Sequence, residues 1–257
     1  MLFKKKDTKE NDSDAMSFLD HLGELRNRIL FSLAAVAISC VVTGVFINFL
    51  IEIVLLEPAK TASLELQNLK PFGQPFLYFK IIFTSGLILA MPFILLQLWR
   101  FIKPGLYPKE RLWARWITFF TSICFFIGVA FAYFVMVPGM LNFAANFGTE
   151  SIKNIIDVNE YLSFITMIVL ASGLLFEMPM VAFILARVGI LTPKIMSKYR
   201  RHAIVLILII AAVLTPTPDP ISQLIFAAPL LVLYEISIII ARIAESKRNS
   251  ELDVNNE

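Results

Sequence analysis

Six apolar runs, at residues 29–51, 76–99, 116–137, 161–186, 203–214 and 221–241, divide this chain of 257 residues. Four of the six hold between 21 and 25 residues, and a helix needs roughly 20 to cross a hydrocarbon core about 30 Å thick. A chain patterned in this way has to satisfy its backbone inside lipid, which restricts it to helices. The basic residues give it an orientation. Lys and Arg number six before the first run, five after the second, five after the fourth and three after the sixth, so 19 of 23 fall in alternate gaps. The other gaps hold only Lys60, Lys70 and Lys153, with Lys80 just inside the second run. The positive-inside bias therefore predicts an all-α integral membrane protein of six transmembrane helices with both termini cytoplasmic.

Composition agrees: 58% hydrophobic and 17% charged residues lie outside the soluble-domain average in the direction of a membrane protein. The segregated charge also sets a basic face beside anionic lipid headgroups. Residues 1–17 are mostly polar, the first apolar run is too long for a signal-peptide core and no A-x-A site follows it, so no cleaved signal is expected. Cys40 and Cys124 fall inside apolar runs and read as small buried thiols. The expected organisation is a disordered cytoplasmic tail at 1–17, a membrane domain at 18–243 and a second disordered tail at 244–257.

The gaps at 52–75 and 138–160 hold 24 and 23 residues, long for simple connectors, and are expected to fold over the outer face. Helix starts are signalled by Asp157 with Glu160, by Thr192 then Pro193, and by Asp219 then Pro220. The Thr192 start predicts one longer helix running into span five, whose 12 apolar residues cover only about 18 Å. Either the bilayer thins there, or Arg200 and Arg201 snorkel. Spans two and four also match at an offset of 87: Ser85-Gly86-Leu87 with Ser172-Gly173-Leu174, Met91-Pro92 with Met178-Pro179, and Arg100 with Arg187. Both parallel duplication and convergence on close-packing small residues account for the match.

Glu177 is the one carboxylate deep inside a span. A charge at bilayer centre costs on the order of 2.5 to 3.5 kcal/mol on insertion scales, so its side chain should face protein or water. Pro179 leaves the Leu175 carbonyl without its helical donor and predicts a bend at the same place. Three roles stay open for Glu177: a proton or ion relay, a polar dock for another transmembrane segment, and a protonated carboxyl satisfied by a neighbouring helix. Glu235, near the inner end of span six, is placed to reach the interface and does not supply a second relay member.

Two carboxylates interrupt the basic face. Glu24 lies in His21-Leu22-Gly23-Glu24-Leu25-Arg26-Asn27-Arg28 and Glu110 stands among Lys109, Arg111 and Arg115. Glu24 with Arg28 is a favourable i,i+4 helix pair, and Glu110 can serve as local charge balance. Both are also the preferred partners of an incoming guanidinium. No H-E-x-x-H, G-x-S-x-G, P-loop or dinucleotide glycine motif occurs, and His21 and His202 are not spaced as a metal pair, so neither an enzyme nor a metal or other cofactor is expected.

Taken in order, several motifs resemble the TatC family, the multispanning component of the twin-arginine protein translocase. They are His21-Leu22-x-Glu24-Leu25-Arg26-x-Arg28, Trp99-x-Phe101-x-x-Pro104-x-Leu106-Tyr107-x-x-Glu110-Arg111, and Phe131-Ala132-Tyr133-Phe134. Further matches are Tyr161-Leu162-Ser163-Phe164, Phe176-Glu177-x-Pro179, and Leu214-Thr215-Pro216 through Pro218-Asp219 to Ser222-Gln223. The resemblance spans about 16–243. It implies a cupped six-helix bundle in a bacterial or archaeal cell (inner) membrane, with shortened fifth and sixth spans. It also implies recognition of twin-arginine signal peptides on folded cargo proteins. Assembly with single-span subunits of the TatA and TatB type would follow, driven by the proton-motive force, with membrane lipids and no nucleic acid as further surroundings. By the same resemblance Glu24 and Glu110 are the arginine counter-charges, with Phe101, Arg26 and Leu22 shaping that surface. Glu177 contacts a partner helix or the inserted signal, and Thr215 and Gln223 contact the single-span partners. The proline-rich 216–220 connection departs from the family pattern. A small proton-coupled secondary transporter using Glu177 is the alternative, although the Gly-rich unwound segments of such sites are missing. A purely structural or scaffold subunit is the other competing class, and crosslinking of a paired-arginine peptide near Glu24 and Glu110 separates it from a receptor.

Overall fold

The structure is a computed structural model that describes residues 10–70, 72–102, 113–146, 155–215 and 220–254. Its helices are α1 (Glu10–Val45), α2 (Ile47–Phe49), α3 (Glu57–Thr61), α4 (Gly73–Ile102), α5 (Trp113–Phe131), α6 (Val137–Asn146), α7 (Val158–Leu175), α8 (Met178–Val188), α9 (Pro193–Lys198), α10 (Arg200–Leu214) and α11 (Pro220–Val254). Among the described residues, five helical stretches are long and apolar enough to cross a membrane: 22–45, 73–101, 118–146, 158–188 and 220–248. The region of span five is helical as well, but α10 has 15 residues and covers about 22 Å.

The core centres on α7. Leu162, Ile165 and Ile168 are fully buried there, in one cluster with Ile81 of α4, Phe226 of α11 and Met136, which follows α5. Only 11% of the apolar window of α1 is buried, against 44% of the window at 158–188, so α1 lies at the rim and α7 in the middle. Ile29, Leu33, Ile38, Val41 and Val45 of α1 are exposed, the pattern of a lipid-facing side. The other side of α1 packs antiparallel on α4, where a Cβ on Gly86 would come 2.6 Å from the Cys40 sulfur. Gly173 similarly admits the ring of Phe125. Both glycines of the candidate repeat thus mark helix contacts. The matched prolines behave differently, because α4 runs through Pro92 while the fourth span breaks at Phe176 and Glu177, just before Pro179. Phe176, seated on Gly128 and tilted against Phe131, draws that turn aside.

Two π-helical segments, Leu50–Leu55 and Ala132–Met136, continue the first and third spans. The wider π turn leaves carbonyls at its end without donors. The hydroxyls of Tyr133 and Tyr161 donate to two of them, Val54 O at 2.7 Å and Leu55 O at 2.9 Å. The two long gaps do fold together: β1 (Glu65–Gln67) and β2 (Ile155–Asp157) form a parallel pair in the register Glu65↔Ile155 to Gln67↔Asp157. Beside it Asn159 donates to Asn68 Oδ1 at 3.1 Å, and the Lys70 ammonium lies 3.6 Å from Asp157 and 3.3 Å from Glu160.

Asp157 caps α7 by accepting from the Asn159 backbone N–H, and Thr192 caps α9 by accepting from that of Ile195. Glu160 turns to Lys70 rather than closing a capping box. The Asp219 start lies outside the described residues. One expectation is corrected. The helix entering span five is two helices, α9 and α10, separated by a turn at Tyr199 whose hydrogen bonds tighten onto Ile195 and Ser197. Ala244 is buried against α8 and α9, and α11 continues past the apolar run to Val254.

Candidate functional site

At one end of the α1/α4 pair, Arg28 joins two polar groups. One guanidinium nitrogen donates to Glu24 at 2.8 Å and another to Gln97 of α4 at 3.1 Å. Gln97 is buried, whereas the Glu24 side chain keeps 33% of its surface exposed. The i,i+4 pair read from the sequence is therefore present, and Arg28 also has a buried duty that the sequence reading missed. A glutamine inside the apolar run Ile94-Leu95-Leu96-Gln97-Leu98 was the available signal. Leu22 and Arg26 are exposed on the same helix, and Phe101, half-buried, lies one turn beyond Gln97. Nearby the Trp99 indole donates to Thr121 at 3.3 Å and ties α4 to α5. Glu110 lies outside the described residues.

Glu177 occupies the break between α7 and α8. Its backbone carbonyl starts α8 by accepting from Met180 and Val181, and its side chain makes no cap. The residue is buried and its Oε1 has no hydrogen-bond partner. Glu235 pairs with Arg200 at 2.9 Å, both half-exposed, so it is engaged at the start of α10 rather than in a chain of buried carboxylates. At the opposite end of α10, Thr215 is the C-cap and is buried. The Gln223 amide donates to Leu208 O at 2.9 Å, which holds α11 against α10.

A cavity of about 660 Å³ opens between α1, the Leu50–Leu55 segment, α4, α5 and α7. Its wall is almost wholly apolar, with Val42, Phe46, Leu89, Phe126 and Val129 among its residues, and Thr43 and Thr166 on it are spent on backbone carbonyls. Such a cavity can take an apolar chain and offers no acid–base chemistry. Among the described residues no group of His, Cys, Asp or Glu could hold a metal ion, and Cys40 and Cys124 are free.

Long apolar helices, a buried carboxylate and polar groups spent on helix contacts define a polytopic helical membrane protein. The model of the Sec-independent protein translocase protein family, TatC, matches residues 20–229. The TatC protein of Deinococcus radiodurans is 37% identical over 87% of this chain and 85% of its own length. That of Carboxydothermus hydrogenoformans is 36% identical over 91% and 96%. The crystal structure of a twin-arginine translocase receptor, TatC, superposes with a TM-score of 0.80 at 36% identity, over 87% of this chain and 99% of that one. The chain belongs to the TatC family. It is a component of a protein translocase and not an enzyme, which decides against the small proton-coupled transporter.

Proposed function

We propose that this chain is the signal-peptide receptor of a twin-arginine translocase, crossing the bacterial or archaeal cell membrane six times with both termini cytoplasmic. Glu24 and Glu110 bind the paired arginines of signal peptides on folded cargo, and Leu22, Arg26 and Phe101 form the surface around them. The observation that carries this reading is the partly exposed Glu24 carboxylate, joined through Arg28 to Gln97 of α4, five residues before α4 ends at Ile102 and the sequence runs on to Glu110. Arg28 takes one Glu24 oxygen, which leaves the other to accept a charge-assisted hydrogen bond from an incoming guanidinium. The receptor named in the crystal structure of a family member lends the same reading support. Single-span partners of the TatA and TatB type dock at Glu177, Thr215 and Gln223, and the proton-motive force drives the assembled export.

Binding of a twin-arginine peptide to purified protein tests the proposal. Glu110→Gln should abolish binding while leaving the helical content and thermal unfolding unchanged, since a connecting-loop charge adds little to helix packing. Charge reversal should be at least as damaging. Unaltered binding by Glu110→Gln would remove Glu110 from the site.

A further inference from the structure

The face of α11 that meets α8 is built from small and apolar residues and then breaks its own pattern. Ser237, Ile238, Ala241 and Ala244 are all buried, and the last three pack with Ala182 and Ala186 of α8. Small residues at this spacing bring two helices close. The next position on the same stripe, one turn past Ala244, is Arg248. Its guanidinium is pressed onto Gly189, so closely that a Cβ there would collide with it. Gly189 ends α8 in the left-handed conformation at φ 86°, which a side chain would also disfavour. Two independent features thus keep that position bare under the arginine.

Arg248 gains no partner from this arrangement. Its Nε is buried without a hydrogen bond, and among the described residues no carboxylate is paired with it, Glu245 on the preceding turn included. The α8 end does not absorb its donors either. Leu185 and Ala186 carbonyls already accept from the backbone N–H groups of Gly189, Ile190 and Leu191. A second cation, Arg187, stands in the last turn of α8. Arg187 stands at the end of the span at 158–188 and Arg248 packs on Gly189 just past it, so both lie at headgroup depth on one side of the bilayer. Arg248 is partly exposed while its Nε is buried without a partner, so the guanidinium has no internal anion and its open edge can take an external one. At that depth the abundant anion is a lipid phosphate, and basic pockets between transmembrane helices hold such groups.

We infer that the notch where Arg248 lies over the C-terminus of α8 binds the phosphate of an anionic phospholipid headgroup, with Arg187 adding to the field. The ligand would clamp the end of α11 to α8. Full-length protein in detergent, titrated with phosphatidylglycerol or phosphatidylcholine and followed by native mass spectrometry, tests this. Wild type should retain phosphatidylglycerol in preference to phosphatidylcholine. Arg248→Gln should lose roughly tenfold in that affinity, the size of one charge-assisted contact. Arg242→Gln, on an exposed position of the same helix, should bind as wild type does. Equal retention by Arg248→Gln, or equal loss in both variants, overturns the assignment. Should Arg248→Gln not fold, modification of wild-type arginines by phenylglyoxal answers the same question. Phosphatidylglycerol should protect Arg248 and phosphatidylcholine should not; absence of protection refutes the site. If inorganic phosphate alone protects Arg248 and phosphatidylglycerol adds nothing, the oxyanion chemistry holds but the lipid source is wrong.

Discussion

Arg28 shows why one residue pair cannot be judged by its charges alone. Glu24 is partly exposed and Gln97 is buried, and Arg28 serves both. Removing Arg28 strips a buried amide oxygen of its donor, a loss of about 1 to 3 kcal/mol. Removing Glu24 leaves that bond in place. Arg28→Ala should therefore lower the unfolding temperature more than Glu24→Ala, while Glu24→Ala should lose more twin-arginine peptide affinity. Parallel effects on both measurements would mean that Glu24 does no more than pair with Arg28. Glu177 poses a different question, because its Oε1 is buried and has no hydrogen-bond partner among the described residues. A docking group can be replaced by an amide that still hydrogen-bonds in the bilayer, but a proton carrier cannot. Glu177→Gln should keep much of the export activity and Glu177→Ala should lose more. Loss of export in both, with partner association intact, would favour a proton-coupled step.

Among elements, the paired strands and their polar neighbours join the first hairpin of helices to the second. Asp157 sits at that junction, capping α7 and facing Lys70. The Asn159 backbone N–H donating to it holds its carboxyl below the ordinary carboxylate range, against the opposing effect of burial, with the Asn159 side chain and Lys70 helping. A carboxyl depressed on folding stabilises above its unfolded pKa, and that contribution disappears as pH falls through the folded value. Thermal stability of the wild type should consequently drop on acidification below the usual Asp range, and Asp157→Asn should flatten that part of the profile. An identical acid limb in both would deny Asp157 this role. The cap itself was legible in Asp157 and Thr192, since a short polar side chain before a helical run has a local reason to be there. The strands were not legible. Each spans three residues, too short to display an alternating pattern, and their pairing depends on contacts some 90 positions apart. The break at Glu177 could be anticipated from Pro179. Pro92, in the same sequence setting, leaves α4 continuous, so the proline alone does not set the break.

For the whole molecule, the apolar runs made the long helices legible, while the alternation of basic and non-basic gaps speaks to orientation. What it could not convey is depth. The helix of span five has 15 residues and reaches about 22 Å, well short of a hydrocarbon core of about 30 Å, yet α11 beside it runs for 35 residues. If α10 is a sixth crossing, the mismatch has to be absorbed by local thinning or by the Arg200–Glu235 pair reaching outward at its start. Membrane-impermeant thiol labelling decides this on a background in which Cys40 and Cys124 are replaced by Ala. Cysteine at Lys60 should label from outside intact cells. Cysteine at Ser13 and at Ser250 should label only after the membrane is opened, which places both ends inside and requires an even number of crossings. With five long apolar stretches already present, evenness assigns the remaining crossing to α10. Labelling of Ser250→Cys from outside would instead leave α10 on the surface and give five crossings.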